Sequence, residues 1–220
     1  VRFLMVMLVI IIGAILVMGA IEPTDAIVTR TILIKAPKEA VWEQIVHFKN
    51  WPNWSPWIQK DSTVKITYTG TDGEPGSSYR WVGNPELTGE GEMKNVAVSE
   101  NTLNCEMTIV EPWHMEAKIA LVVKDTTDDM QKVTWTFVKH TPYPLNAMNM
   151  FVNIDKYMGG DFESGLKNMK TFVETNATPV APVIASDVEI KELDYPGHLF
   201  QGIRKTVEFA NLDKFFGESY

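Results

Sequence analysis

Six runs of alternating apolar and polar side chains, followed by one long stretch of helical spacing, restrict this chain to an antiparallel sheet covered by a helix. Val64, Ile66 and Tyr68 alternate with Lys65, Thr67 and Thr69, and Tyr79 and Trp81 with Ser78 and Arg80. Residues 87–98 form a polar strand broken by Gly89 and Gly91, read as strand curvature or close backbone approach. Leu103, Cys105, Met107 and Ile109 then oppose Asn104, Glu106 and Thr108. Met115, Ala117, Ile119, Leu121 and Val123 oppose His114, Glu116 and Lys118, and Val133, Trp135 and Phe137 oppose Lys132, Thr134 and Thr136. A period of two with short turns between the runs gives an antiparallel sheet with one buried face. From Leu145 to Glu174 the period becomes helical, with Met158, Phe162, Leu166, Met169, Phe172 and Val173 on one side. Gly159-Gly160 is expected to interrupt or kink that helix, because each glycine costs about 1 kcal/mol against alanine.

Ahead of these runs, residues 26–57 read AIVTRTILIKAPKEAVWEQIVHFKNWPNWSPW. Val28, Ile32 and Ile34 belong to a β-branched strand. Pro37 and Glu39 suit the first turn of a helix whose apolar face is Val41, Trp42, Ile45, Val46 and Phe48. Trp51, Trp54 and Trp57 follow, and Pro52 and Pro56 exclude a regular helix there. The pattern Ala36-Pro37-x-Glu39-x-Val41-Trp42, then Phe48-x-Asn50-Trp51-x-x-Trp54-x-Pro56-Trp57, resembles the opening of the START-like (SRPBCC) superfamily, within its polyketide cyclase/dehydrase and lipid-transport group. The C-terminal signature of that group, G-x-D-F-E-x-G-L-x-N-x-K, is matched from Gly159 through Lys170. The resemblance implies an α+β helix-grip fold: a curved antiparallel sheet around a long C-terminal helix, with a hydrophobic cavity between them.

Residues 3–21 contain no polar side chain and would span roughly 28 Å as a helix, close to the thickness of a bilayer core. A signal peptide has a shorter apolar region and a small-x-small cleavage site, and Met18-Gly19-Ala20 is a poor one. Residues 1–22 are therefore expected to be a retained single-pass membrane anchor. Arg2 on one side and Arg30, Lys35 and Lys38 on the other give no clean orientation. Similar anchors usually carry further lysines before the helix, which leans towards an outward-facing soluble part. Residues 24–175 are the expected START-like domain, and 176–187 a Pro-, Ala- and Thr-rich linker. Residues 188–220 resemble the start of a gyrase-inhibitor-like (AraC-type) effector-binding domain. That unit is expected to be truncated, because so short a segment cannot build a core alone.

A net charge of −8 with no Lys/Arg stripe argues against an electrostatically driven nucleic-acid binder. Cys105 is the single cysteine, and His47, His114, His140 and His198 make no metal-ligand spacing, so neither metal nor cofactor is expected. The apolar face carrying Tyr79, Trp81, Met107, Met115, Trp135 and Phe137 is either a filled core or a lined pocket. The resemblance favours the pocket, with a hydrophobic small molecule or lipid as partner and Trp54, Trp57 and Phe162 as further wall residues. Arg80, Glu90, Glu92, Glu106, Glu116 and His114 fall on the solvent face by alternation. A cyclase- or dehydratase-like enzyme would need such groups inward. A co-chaperone-like interaction module would show a large exposed apolar patch and a collapsed cavity. Oligomeric state is left open. The tryptophan loop is open to three roles: gating a cavity, gripping a membrane interface, or packing.

Overall fold

The computed structural model describes residues 2–126 and 130–176. The remainder of the expected linker and the expected second unit, residues 177–220, lie outside the described residues. The N-terminal apolar segment is helix α1 (Arg2–Ile21), exposed along nearly its whole length. Strand β1 (Asp25–Ile34) follows, then α2 (Lys38–Val46), a 3₁₀ turn (Phe48–Asn53) and the short α3 (Pro56–Lys60). Six strands come next: β2 (Lys65–Thr69), β3 (Ser78–Val82), β4 (Glu90–Ser99), β5 (Thr102–Glu111), β6 (Met115–Asp125) and β7 (Gln131–His140). A second 3₁₀ segment (Leu145–Met150) leads into α4 (Ile154–Asn176).

The strands form one seven-stranded antiparallel sheet in the order β1-β7-β6-β5-β4-β3-β2. Every strand after β1 is a sequence neighbour of the next, and β1 closes the far edge by pairing Val28 with Phe137 and Ile32 with Val133. Two register shifts on β4, at Glu90/Gly91 and Asn95/Ala97, add the local twist that lets the sheet curve. The concave face receives α4, whose buried stripe is Phe162, Leu166, Met169 and Val173. These are four of the six side chains expected on that face; Met158 and Phe172 are half-buried.

The glycine pair does not interrupt α4, contrary to the expectation. A Cβ at Gly159 would fall 2.1 Å from Arg30 Nη2, so the missing side chain is the space in which the guanidinium lies. Arg30 sits on the inner face of β1 between Val28 and Ile32. It donates to Asp155 at 2.7 and 3.1 Å and to Glu163 at 2.8 Å, fastening β1 to the first half of α4. Hydrogen bonding to Asp155, then to Glu163, raises the guanidinium above its ordinary value, and Asp155 is held below its own. A glycine that weakens the isolated helix thus makes room for this ion pair in the packed one. At the other end of α4, Glu174 accepts from the Lys35 backbone N–H and from Lys170, which also donates to Leu33 O.

The helical period from Leu145 is likewise split. Leu145–Met150 is 3₁₀, and Phe151–Asn153 turns the chain before α4 begins. The reason lies at α1. The buried Asn146 donates 2.7 Å hydrogen bonds to Gly19 O and Glu22 O, which holds this segment on the end of the apolar helix. Gly19 admits that approach, since a Cβ there would lie 2.9 Å from Asn146 Oδ1.

Candidate ligand cavity

The tryptophan loop closes one side of the domain. Trp51 Nε1 donates to Ile45 O at 3.0 Å and Trp54 Nε1 to Gln44 O at 2.9 Å. Both carbonyls belong to the last turn of α2, where no helical partner remains, so the two indoles cap that helix while filling the core. Their faces meet Trp135: ring centroids lie 6.4 Å from Trp51 and 5.2 Å from Trp54. Trp57, half-buried on α3, stands 5.8 Å from Trp135 and 5.7 Å from Phe162. Of the three roles open to this loop, packing describes Trp54, while the buried Trp51 both packs and forms wall, and Trp57 forms wall.

Between this cluster, the concave sheet and α4 lies a partly enclosed cavity of about 100 Å³. Of the nine side chains expected at a ligand site, seven line it: Trp57, Tyr79, Trp81, Met107, Trp135, Phe137 and Phe162. Trp54 and Met115 are buried but lie outside the lining. Trp54 packs against the lining residues Trp51 and Trp135, with ring centroids 4.9 and 5.2 Å away, and Met115 is the first residue of β6, opposite the lining residue Ile109. Trp51, Ser55, Ile58, Met93 and Met158 also form wall, beyond the residues expected from sequence. Met93 shares the inner face of β4 with Gly91, and its alternation was hidden by the glycines of that strand.

Gly91 shapes the wall directly. A Cβ there would stand 2.4 Å from Trp81 Cζ2 and 2.6 Å from Thr108 O. The indole of Trp81 therefore lies across the bare backbone of β4, with Nε1 donating to Thr88 O at 3.1 Å. Trp135 Nε1 is a buried donor with no partner among the described residues. Tyr79 is the ionisable side chain in the lining, and burial pushes its phenol well above the ordinary value. The Cys105 thiol, also buried, is pushed up to about 12. Glu92, Glu106, Glu116, His114 and Arg80 are all exposed, and the half-buried Glu90 pairs with Arg80. No acid–base pair therefore faces this space. Among the described residues, no three His, Cys, Asp or Glu side chains converge to hold a metal ion.

Asp61 organises the rim. Its carboxylate is almost fully buried and accepts from Thr63 Oγ1 (2.6 Å), Thr63 N (2.9 Å), Thr88 Oγ1 (2.6 Å) and Asn84 N (2.8 Å). It ties the segment after α3 to the loop between β3 and β4, and Thr88 is itself a lining residue. The Asp61-x-Thr63 spacing, in which an Asp side chain bonds backbone two residues on, was the available signal. Donation from Thr63 and Thr88, then from Asn84, holds this carboxyl far below its ordinary value of 3.8. A carboxyl depressed by folding contributes stability that is complete above its unfolded pKa and lost as pH falls through the folded one. Asp61, Asp155 and Glu174 all shift in this direction, from 3.8, 3.8 and 4.5. The melting temperature is therefore expected to be flat above about pH 5 and to fall below it. Asp61→Asn should melt lower near neutral pH and show a shallower acid dependence than wild type. Parallel curves for the two proteins would remove Asp61 from the rim argument.

The sequence profile of the family described as polyketide cyclase / dehydrase and lipid transport matches residues 25–174. No curated protein matches the chain. Among solved structures, Ara h 8.0201 superimposes with a TM-score of 0.50 at 14% identity, over 69% of this chain and 99% of that one. A protein from Nitrosospira multiformis gives 0.47 at 22% identity, over 66% and 94%. Ginseng major latex-like protein 151 from Panax ginseng gives 0.47 at 15% identity, over 71% and 100%. At such identities a structural likeness speaks for the fold alone. The family match spans well over half the chain and covers the sheet, nearly all of α4 and every wall residue of the cavity, so this chain belongs to the polyketide cyclase / dehydrase and lipid transport family.

Proposed function

We propose that this chain is a membrane-anchored binding protein for an apolar small molecule or lipid, held between the sheet and α4. The observation that carries the reading is the cavity itself, walled by aromatic and Met side chains with Tyr79 as its ionisable member. Its volume of about 100 Å³ is below the roughly 300–1,000 Å³ of ligand sites for drug-sized molecules. It accepts a small apolar body or one end of a longer chain. Larger ligands enter by repacking Met93, Met107 and Met158, whose unbranched side chains adapt at low cost. The unpaired Trp135 N–H favours a ligand carrying a carbonyl or hydroxyl oxygen. Binding is favoured over catalysis because Glu92, Glu106, Glu116 and His114 are exposed, while Asp61, Asp155 and Glu163 are engaged in hydrogen bonds or ion pairs and lie outside the lining.

Two observations support retention of α1. It is 20 residues long, about 30 Å, with Arg2 as its charged residue. Asn146 of the folded domain also grips carbonyls at Gly19 and Glu22, on both sides of the weak cleavage site. The outward orientation and the ligand-sensing role of a second module rest on the sequence resemblance, and belong to the same proposal.

The test uses full-length protein extracted in mild detergent, followed by native mass spectrometry and lipid analysis of the released material. A bound apolar molecule, an intact N-terminus and quenching of Trp57, Trp81 and Trp135 fluorescence on adding it back are expected. An empty protein whose fluorescence answers to no fatty acid or sterol would sink the reading. A co-chaperone-like reading retains one observation, the exposed apolar side chains near α1, and their position assigns them otherwise.

A further inference from the structure

The antiparallel registers bring one set of strand ends together. Asp25 pairs with His140, Lys118 with Val138, Ile109 with Met115, Glu90 with Glu111, and Val82 with both Glu90 and Lys65. The start of β1, the end of β7, the β5–β6 turn and the β3–β4 loop therefore share one end of the sheet. α1 emerges at that end, and its packing partner is the Leu145–Met150 segment that leads into α4. Val64, Trp81, Thr88, Ile109 and Met158 place the cavity at the same end.

This end also carries large exposed apolar side chains. Phe151 and Tyr157 are each 76% exposed and Trp113 is 69% exposed, with Tyr143, Leu145 and Met148 beside them. Aromatic side chains with a polar tip are suited to a lipid–water boundary. In water, an apolar patch of this kind on a folded domain marks a partner surface. Glu22, Asp25, Glu86 and Glu111 share this end with Lys65, Lys139 and Lys156, so the charge is mixed and the contact is made chiefly by burying apolar surface.

We propose that this end of the domain docks on the bilayer that holds α1, with Trp113, Phe151 and Tyr157 entering the boundary between headgroups and acyl chains, so that the cavity exchanges its ligand with the lipid surface. The proposal rests on α1 being a retained anchor. The Asn146 clamp makes the geometry determinate: α1 is hydrogen-bonded to the segment bearing the patch, so an inserted α1 brings that segment to the membrane surface. Asn149 Nδ2 adds a bond to Pro23 O at 3.2 Å, bracing the same junction.

The test is nitroxide scanning of the full chain reconstituted into phosphatidylcholine bilayers. Cys105 is buried, so labels introduced by Phe151→Cys, Tyr157→Cys, Ile10→Cys and Glu100→Cys report singly. Glu100 lies in the β4–β5 turn, at the opposite end of the sheet. The expected result is a several-fold excess of collisions with oxygen over an aqueous nickel chelate at residues 10, 151 and 157, and the reverse at residue 100. A lipid-exposed label at 10 with aqueous labels at 151 and 157 overturns docking and leaves the anchor standing. Labels at 151 and 157 shielded from both reagents would mean that protein covers the patch, from a second copy or from residues 177–220, and also overturns it. An aqueous label at 10 overturns the anchor reading and docking together.

Discussion

Phe162→Ala is expected to destabilise the domain by about 3–5 kcal/mol, the range for deleting a buried aromatic ring. Phe162 is 1% exposed, and its ring centroid lies 4.3 Å from Trp135, 5.7 Å from Trp57 and 6.1 Å from Phe137. It is the side chain by which α4 meets both the aromatic cluster and the cavity. Collapse around the deletion is limited because one side of the ring already faces free space. The vacated volume therefore adds to the cavity instead of being filled by neighbours. Urea unfolding should show a lower midpoint at unchanged slope. Phe162→Leu should recover much of the loss, and a bulkier apolar ligand should stabilise the alanine variant more than wild type, by mass action. A loss below about 1 kcal/mol would contradict the placement of α4 over the sheet.

Gly91→Val should abolish ligand binding while leaving a folded protein of reduced stability. The new Cβ would stand 2.6 Å from Thr108 O, a backbone atom held in the β4–β5 ladder, and 2.4 Å from the Trp81 ring. The indole must leave its place, so the cavity loses a wall, and the β4 backbone must also shift away from the Thr108 carbonyl, which strains the strand pairing. Overpacking costs about 1–3 kcal/mol, and the backbone clash at Thr108 O puts this variant at or above the top of that range. Gly160→Ala supplies the contrast. Nothing lies within 4 Å of a Cβ there, and the position is on α4. It should stabilise by about 0.5–1 kcal/mol, the helical advantage of alanine over glycine. Denaturation and tryptophan-fluorescence titration of the two variants read both effects. Unchanged binding in Gly91→Val would show that the wall at Trp81 is dispensable.

The element order was legible because its signals are local. Alternation in Leu103–Ile109 and Met115–Val123 reports which face of each strand is buried, and a strand needs no partner to display it. The same pattern placed Tyr79, Met107, Trp135 and Phe137 on one face, and all four line the cavity. Trp54 lies outside the lining, which was not legible because sequence gives a tryptophan's burial but not which neighbours its ring meets. Its N–H goes to Gln44 O, ten positions back on α2. Arg30 carried a readable hint, a charge on the apolar face of β1, yet its partners Asp155 and Glu163 lie more than a hundred residues away.

By itself, then, the sequence determined the apolar helix, the sheet, the covering helix and the identity of most side chains on the inner face, since periodicity and turn chemistry act within a few residues. Tertiary structure alone decided that Gly159 is a seat for Arg30, that Gly91 is a bed for Trp81, and that Asn146 holds α1. It also decided that the concave face is nearly filled, leaving about 100 Å³. These are questions of where distant atoms meet in three dimensions, and excluded volume at such a meeting point leaves no periodic trace along the chain.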